Sequence, residues 1–462
     1  MHRSIAVAEA ETRAVAAARQ AIPRTRPRTR WADAALLGLL AAAAGAAAWY
    51  GSCGIDEPLA RRLPGDVWFE ADCRRVFDNL AYFRSVQLRS TTHPLFTLWI
   101  QPPVALAQWL GLPPILAVRA LRALTAAGCA AALYTLLRVI GCRRLDSVAL
   151  CILTGVSSAA VFWFVVPETY PPGLLSILVA LNIAAFAAAR RSLAWDLLAQ
   201  LATFSFTITN WMAGLLVTFA RWPWRRALAI TGLALCLLQI LIVLQNQVYP
   251  SAALWLNPLP ERIYVLHPAA GGPARVLPSF VFHSMVMPRI AITDRAHWVG
   301  PMLTVQESWP GSAGPWSIAA VVAWTALLSL GLYGLATLRG QRRLRTVLGL
   351  TLAGQLVLHL LYGLETFTYA CHFGPLLVVV AALATLTRAR RVALGLILTL
   401  IVCVGINNLA QFREARTWVE QRAAAAQRTD ARSVRAKLTA ADEARPSPDF
   451  RSVSSPQPRL PD

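Results

Sequence analysis

The chain has 462 residues, of which 56% are hydrophobic and 15% are charged, and its formal net charge is +21. Soluble domains carry roughly 25% charged residues, so this composition and the recurring apolar runs exclude a large soluble protein and predict an all-α, polytopic membrane protein. Few segments alternate polar and apolar residues, which argues against an outer-membrane barrel. The arginines fall in short clusters between the apolar runs, so we do not expect nucleic-acid binding.

These arginine clusters orient the chain, because cytoplasmic loops of membrane proteins carry an excess of positive residues. Residues 1–31 are predicted to form a basic cytoplasmic tail, and residues 32–410 a transmembrane domain in an inner (plasma) membrane. Segment 193–220 is too long for one span, so we expect two shorter helices that meet at Thr209 and Asn210. We predict about eleven spans, with bounds 34–50, 115–137, 148–166, 174–189, the two parts of 193–220, 228–248, 318–338, 347–361, 375–386 and 394–409.

Residues 95–110 form an ambiguous apolar segment. It is shorter than the roughly 20 residues that a span needs, and Pro102 and Pro103 interrupt it. If it crossed the membrane, the arginine cluster at 138–144 would lie outside, against the positive-inside rule. We therefore predict a helix that lies in the outer interface, within an outer loop that covers residues 51–114.

Two more segments are predicted to lie outside. Residues 249–315 form a second outer loop that is rich in proline, histidine and tryptophan. Residues 411–462 form a charged tail, helical to about residue 440 and then partly disordered. Cys53, Cys73 and Cys371 also fall on this side, so a disulfide between two of them remains open.

The polar residues that adjoin the membrane gather on the outer side of this topology, whereas the cytoplasmic loops hold little beyond arginine. They are Asp72, His93, Glu168, Tyr170, Asn210, Glu365 and His372. Nucleotide sugars and ATP are scarce in an outer compartment, so a transferase there needs an activated donor delivered through the membrane. Lipid-linked phosphates meet that need. No metal-ligand spacing connects the histidines with the acids, so we expect neither a metal nor another cofactor.

Three motifs follow one another in a recognisable order. An acidic residue in the first outer loop precedes a His-Pro-Leu helix start at residues 93–95, and then the arginine-containing span AVRALRALTAAGCAAALYTLLRVIG at residues 117–141. The sequence SFTITNW, residues 205–211, joins the two short helices. This order resembles the GT-C membrane glycosyltransferases, among them protein O-mannosyltransferases and lipid A aminoarabinose transferases. Leu95 replaces the second proline of the family's His-Pro-Pro-Leu, and Asn210 replaces the lysine of its helix corner.

The resemblance implies transfer of a sugar from a polyprenyl-phosphate donor to an acceptor glycan, lipid or protein at the outer face. Asp72 is then the expected general base, with Glu70 and Asp56 as alternatives. Guanidinium groups suit the lipid phosphate, and the candidates are Arg75, Arg119 and Arg122. The remaining residues expected to bind substrate are Glu70, His93, Glu168, Tyr170, Asn210, Glu365 and His372.

Structural interpretations of the same residues stay open. Asp72 can pair with Arg74 or Arg75 across one helix turn. Arg122 can extend from its span to the interface, and the outer glutamates can be helix-end caps or counter-ions for arginine. A rival function is a secondary transporter or a lipid flippase, although the sequence lacks the matched halves that many transporters show.

Overall fold

The computed structural model describes residues 27–443, apart from residues 64, 187–191, 253–258, 295–299 and 339. The α-helices of this part are α1 (Pro27–Ser52), α2 (Cys73–Ala81), α3 (Phe96–Trp109), α4 (Pro114–Ile140), α5 (Arg144–Val156), α6 (Ser158–Trp163), α7 (Tyr170–Phe186), α8 (Leu193–Phe206), α9 (Trp211–Arg221), α10 (Trp224–Val248), α11 (Pro273–Pro278), α12 (Pro315–Thr337), α13 (Arg342–Leu361), α14 (Ala370–Ala382) and α15 (Arg390–Glu443). Strands β1 (Ala291–Thr293) and β2 (Met302–Thr304) form a small antiparallel pair, the one departure from an all-α fold among these elements. The predicted tail up to residue 26, the chain from residue 444 onward, and the arginines at 190, 191 and 339 lie outside the described residues.

Seven helices within the described ranges are long and apolar enough to cross a membrane. They are Trp31–Ser52, Pro114–Ile140, Trp224–Val248, Pro315–Thr337, Arg342–Leu361, Thr366–Leu386 and Arg390–Thr429. Helices α7 and α8 are apolar but have only 17 and 14 residues, fewer than the roughly 20 of a full span. The protein is therefore a helical membrane protein, while the count of eleven spans stays a prediction.

Two predicted segments differ from the observed helices. The span predicted at 148–166 is interrupted at Ser157, whose extended backbone (φ −62°, ψ 152°) ends α5 and whose hydroxyl accepts from Ala160 N at the start of α6. Conversely, Pro102 and Pro103 do not break the predicted interfacial helix, because α3 runs through both. Each proline removes one internal N–H donor, which bends a helix without necessarily ending it.

The predicted pair of short helices at residues 193–220 is confirmed. Helix α8 ends at Phe206 and α9 begins at Trp211, with one 3₁₀ turn, Ile208–Asn210, between them. Thr207 adopts an extended conformation (φ −163°, ψ 127°) at this corner. The backbone N–H of Ile208 donates to Thr92 O, so the corner is attached to the first outer loop.

Ion pairs join the helix ends at the end of the bundle where α1 begins. Asp33 accepts from Arg138 at the end of α4 and from Arg144 at the start of α5, each with an Nε–Oδ1 distance of 3.0 Å. Asp146 binds Arg390 at the start of α15, with 2.7 Å between Nη2 and Oδ1. These arginines belong to the clusters predicted to be cytoplasmic. The loop after α1 lies at the opposite end of the bundle.

Helix α15 does not stop where the sequence placed the end of the last span. The helix runs from Arg390 to Glu443 without a break, a total of 54 residues, or about 81 Å at 1.5 Å per residue. Its residues beyond the predicted boundary at 410 pack at helical spacing against the main core of the bundle: Phe412, Ala415, Val419 and Ala423. The first part of the predicted C-terminal tail is therefore an integral part of the folded body.

Candidate functional site

The first outer loop contains a strained turn that three other segments hold in place. Phe69 and Glu70 both have positive φ, 51° and 62°, a conformation that costs a non-glycine residue about 1–2 kcal/mol. Trp68 Nε1 donates to Phe162 O at 3.1 Å, and Thr368 Oγ1 donates to Phe69 O at 2.6 Å. Strand β2 supplies the third contact, from Leu303 N to Val67 O at 2.9 Å. The surrounding structure thus fixes the backbone that leads into Asp72.

Asp72 lies at the end of this turn, directly before α2, and is 3% exposed. Its Oδ1 is 2.6 Å from Arg75 Nη2, one helix turn later, and its Oδ2 forms an ion pair with Arg89 Nη2. The pairing with Arg75 confirms the alternative interpretation of Asp72, in which it pairs with an arginine across one helix turn. Both carboxylate oxygens of Asp72 thus face a guanidinium group, and the pair of arginines presents positive charge around a buried acid.

Glu168, in the loop between α6 and α7, joins this cluster from another part of the chain. Its Oε1 accepts from Asp72 N at 2.8 Å and its Oε2 from Thr169 N at 2.5 Å. Burial raises the pKa of Glu168, while the nearby charge of Arg89 acts in the opposite direction. Glu168 is therefore a buried carboxyl that orients the backbone of Asp72, and it is not a simple helix-end cap.

His93 lies on the other side of Thr169. Its Nδ1 is 2.6 Å from Phe206 O, at the corner between α8 and α9, and its Nε2 is 3.3 Å from Thr169 Oγ1. A carbonyl oxygen only accepts, so Nδ1 carries the proton and Nε2 is left as an acceptor. Burial and the charge of Arg89 lower the pKa of His93 to about 3, so the imidazole is neutral at pH 7.

Asp66 is the member of the cluster that the sequence reasoning missed. It lies close enough to Glu168, Arg75 and Arg89 to interact electrostatically with all three, and burial raises its pKa to about 6. Unlike Asp72 and Glu168, Asp66 remains partly accessible. The sequence did contain a signal, because Gly65 and Asp66 are turn-forming residues immediately before the apolar pair Val67–Trp68.

A second polar group lies beside the cluster, between helices. Asn210 Nδ2 is 3.5 Å from His372 Nε2, and its Oδ1 accepts from Gln355 Nε2 at 3.1 Å. Gly173 lines the same place, since a Cβ atom there would approach His372 Nε2 to 2.5 Å. The ring of Tyr170 contacts that of His372 edge to face, with centroids 5.5 Å apart. Three residues expected to bind substrate, Tyr170, Asn210 and His372, therefore share one buried region.

Glu365 has a different role from the one expected of a substrate ligand. Its Oε2 accepts from Thr304 Oγ1 at 2.5 Å and from the backbone N–H groups of Val305 and Gln306, each at 3.2 Å. Gln306 Oε1 in turn accepts from Thr366 N at 2.8 Å. Glu365 thus anchors the second outer loop, and through β2 that loop supports the strained turn of the first.

Arg119 and Arg122 form a separate ion-pair group around Asp56. Arg119 Nη2 is 2.7 Å and Arg122 Nη2 is 3.2 Å from the same oxygen, Asp56 Oδ2. The other terminal nitrogen of Arg122 binds Val165 O, and its guanidinium is 5% exposed. The charge of Arg122 nevertheless reaches Cys73, next to Asp72. Arg122 therefore does not extend to the interface but lies between Asp56 and the residues around Asp72.

The described residues include no group of three or more histidine, cysteine, aspartate or glutamate side chains that could hold a metal ion. All eight cysteines fall in this part of the chain and are free thiols, so none of the outer cysteines forms the disulfide that the sequence left open. The chemistry available at the site is that of carboxyl, guanidinium, imidazole and hydroxyl groups.

These observations define a helical membrane protein with a cluster of ionisable residues at one end of its helices, Asp66, Asp72, Arg75, Arg89, His93 and Glu168, of which Asp72, His93 and Glu168 are buried. We refer to these six residues as the carboxylate cluster. No family model, curated protein or solved structure matches the chain, so its function rests on the geometry of this cluster.

Proposed function

We propose that the protein is a membrane glycosyltransferase of GT-C type that transfers a sugar from a polyprenyl-phosphate donor to an acceptor at the outer face of the membrane. The observation that supports it best is the carboxylate cluster itself. Charged side chains are costly to bury, and proteins bury several together chiefly where they act on a ligand. Here they come from four segments: the turn before α2, α2 itself, the Leu88–Thr91 turn with His93, and the loop after α6.

In the proposed reaction, the acceptor hydroxyl attacks the sugar carbon that bears the phosphate. The new bond joins the acceptor oxygen to that carbon, and the bond from the carbon to the phosphate oxygen breaks with its electron pair. A carboxylate takes the proton of the hydroxyl. Arg75 and Arg89 are the cations placed to stabilise the charge on the leaving phosphate, because Asp72 holds both guanidinium groups in one place.

The geometry favours Asp66 over Asp72 as the proton acceptor. Both oxygens of Asp72 face arginine nitrogens, and the carboxyl is almost completely buried. Asp66 is partly accessible and has a pKa of about 6, near the operating pH at which a general base is most effective. Asp72, the base expected from the sequence, then positions Arg75 and Arg89. Neutral His93 and Thr169 are placed to orient an acceptor hydroxyl beside them.

The test is turnover of a panel of polyprenyl-phosphate sugars by the purified protein, with Asp66→Asn and Asp72→Asn variants. Loss of a general base lowers the rate by about 10²–10⁴-fold, so we expect that loss in kcat for Asp66→Asn. The acid limb of the pH profile of kcat/KM, centred near pH 6 in the wild type, should also disappear. Asp72→Asn should keep this limb and raise the KM for the donor, because Arg75 and Arg89 lose their anchor.

Asp78→Asn, on the solvent side of α2, is the matched control and should leave turnover unchanged. The assignment moves to Asp72 if Asp72→Asn abolishes the acid limb and Asp66→Asn retains it. Asp56→Asn and Glu70→Gln cover the two alternatives that the sequence left open. Donor transport without turnover in the wild type would instead support the rival transporter or flippase.

A further inference from the structure

A cavity of about 350 Å³ lies away from the carboxylate cluster, between the loop after α1, the start of α4 and the outer part of α15. This volume is within the roughly 300–1,000 Å³ range of small-ligand sites in proteins. The charged residues that line it have both signs: Asp56, Glu57, Arg62, Arg119 and Glu420. The proposed transfer reaction uses none of them, so the cavity calls for a separate explanation.

The charges of the cavity are arranged by depth. On the inner wall, one carboxylate, Asp56, is shared by two guanidinium groups, those of Arg119 and Arg122, which leaves an excess of one positive charge. Among the described residues, Arg119 Nη1 donates to the sulfur of Cys53, at 3.2 Å, and a thiol is a weak acceptor. The inner wall can therefore accept an anionic oxygen without breaking a strong interaction.

The rim of the cavity is different, because its carboxylates are exposed. Glu57 and Glu420 have half-exposed side chains, 50% and 43%, and each pairs with one arginine, Arg62 and Arg416, at 2.9 and 2.7 Å. Exposed pairs of this kind contribute little stability and exchange partners readily. Two acidic groups at the mouth of the cavity are thus available to a cation that arrives with the anion.

The cavity also lies at the boundary of the membrane. It is lined by the loop that follows α1 and by the first turns of α4, and both helices are long and apolar enough to cross the bilayer. Apolar residues of the segment that precedes α4 are strongly exposed, with Trp109 at 81% and Leu110 at 65%. The Arg119 guanidinium stacks over Trp49, 5.5 Å from the ring centre. Tryptophan in this position is typical of the level of the lipid head groups.

We propose that this cavity binds the head group of a zwitterionic phospholipid that carries a primary amine, such as phosphatidylethanolamine. The phosphate contacts Arg119 on the inner wall, and the ammonium contacts Glu57 and Glu420 at the rim. A phosphate next to a primary ammonium matches the two ends of the cavity in sign and order. The acyl chains extend past Ile115 and the exposed residues before α4 into the bilayer.

The experiment is a titration of delipidated full-length protein with three probes: dihexanoyl phosphatidylethanolamine, dihexanoyl phosphatidylglycerol and soluble glycerophosphoethanolamine. We expect the ethanolamine lipid to bind about tenfold or more tightly than the glycerol lipid, and the soluble head group to bind more weakly than its lipid. Neutralising both rim acids, Glu57→Gln with Glu420→Gln, should weaken binding of the ethanolamine lipid about tenfold and leave the glycerol lipid unaffected. Arg119→Gln should weaken both lipids.

Glu414→Gln is the matched control, because Glu414 is exposed on the same helix but does not line the cavity. Unchanged affinity of this variant supports the proposal. Equal binding of the two lipids, or full ethanolamine binding in the rim variant, overturns the zwitterionic assignment. Tighter binding of the soluble head group than of the lipid overturns the membrane source. The rim variants change exposed residues only, so they test the site even if Arg119→Gln does not fold.

Discussion

At the scale of single residues, the carboxylate cluster shows how one neighbourhood gives its acids different properties. Asp72 contacts two arginines, and Glu168 binds backbone N–H groups. Within the described part of the chain, Asp66 has neither an arginine nor a backbone N–H at hydrogen-bond distance. Burial is therefore the largest effect on Asp66 and raises its pKa. A carboxyl in this state can exchange a proton near neutral pH.

The stability of the protein should depend on pH through Asp66. Its folded pKa of about 6 exceeds the ordinary value of 3.8, so the folded protein retains a proton that the unfolded chain releases. Stability therefore falls as the pH rises from about 4 to 6, by at most about 3 kcal/mol, and this cost is constant at higher pH. Asp66→Asn removes the cost. Its Tm should equal that of the wild type near pH 4 and exceed it above pH 6; a difference independent of pH would contradict the burial of Asp66.

Arg122 should contribute to stability rather than to donor binding alone. Removing one partner of a buried ion pair typically costs about 3 kcal/mol or more, and of the two arginines that pair with Asp56 in the described part of the chain, Arg119 would remain. We expect Arg122→Ala to lower the free energy of unfolding by about 3 kcal/mol, measured by chemical denaturation in detergent. Arg84→Ala, at an exposed position of the first outer loop, is the control and should have little effect. Donor affinity that falls without loss of stability would restore the phosphate-binding role.

The sequence identified several members of the site but not the site as a whole. Asp72, Arg75, His93 and Glu168 were chosen because they are polar residues next to apolar runs, and they meet in space. Glu365 met the same criterion, yet it binds the backbone of the second outer loop. Nothing in local composition distinguishes these cases, since the partner of each side chain is set by loops far apart in the chain.

At the scale of elements, close helix packing depends on individual glycines. Gly331 of α12 faces α14 so closely that a Cβ atom would lie 2.5 Å from Val380 O and 2.6 Å from Ala381 Cα. Both of these atoms belong to backbone and cannot rotate away. Small residues at such positions let helices approach closely in membranes, where van der Waals packing is a major source of helix association.

A single methyl group at this contact should therefore separate α12 from α14. We expect Gly331→Ala to destabilise the protein by about 1–3 kcal/mol, the usual cost of overpacking. Gly232→Ala in α10 is the matched control, because a Cβ atom there meets nothing within 4 Å. Alanine is the better helix former, so this control should be neutral or slightly stabilising. Thermal unfolding in detergent measures both; equal stability of the two variants would exclude a tight contact at Gly331.

Element boundaries could be predicted where the sequence carries a local signal. The corner at Thr207–Asn210 was found because an apolar run was too long for one span. The interruption at Ser157 was missed, since apolar residues continue on both sides and a single serine is compatible with a helix interior. The helix beyond residue 410 was predicted, but its packing against the core was not, because Phe412 contacts Trp68 of the first outer loop, which composition alone does not place near it.

At the scale of the whole molecule, the two ends of the bundle differ in character. One end carries the ion pairs of Asp33 and Asp146 with arginines, and the other carries the carboxylate cluster and the cavity beside Asp56. This segregation agrees with the orientation that the arginine clusters predict. Which end faces the cytoplasm remains a prediction of the positive-inside rule.

Cysteine labelling of intact cells tests that orientation. In a variant without the eight native cysteines, Arg84→Cys lies in the first outer loop and Arg143→Cys at the opposite end, and both positions are exposed. A membrane-impermeant maleimide should modify residue 84 in intact cells and residue 143 only after permeabilisation. The reverse pattern would invert the topology, and with it the outer location of the proposed reaction.

The uninterrupted helix α15 sets a distance as well as a fold. From the predicted end of its span near residue 409 to Glu443 it has 34 further residues, which extend about 50 Å at 1.5 Å per residue. A helix of this length acts as a spacer: whatever engages its far end is held at a defined height, up to about 50 Å from the bilayer. Glu420 belongs to the same helix, so a force applied at the C-terminal end of the helix would be transmitted to the rim of the cavity.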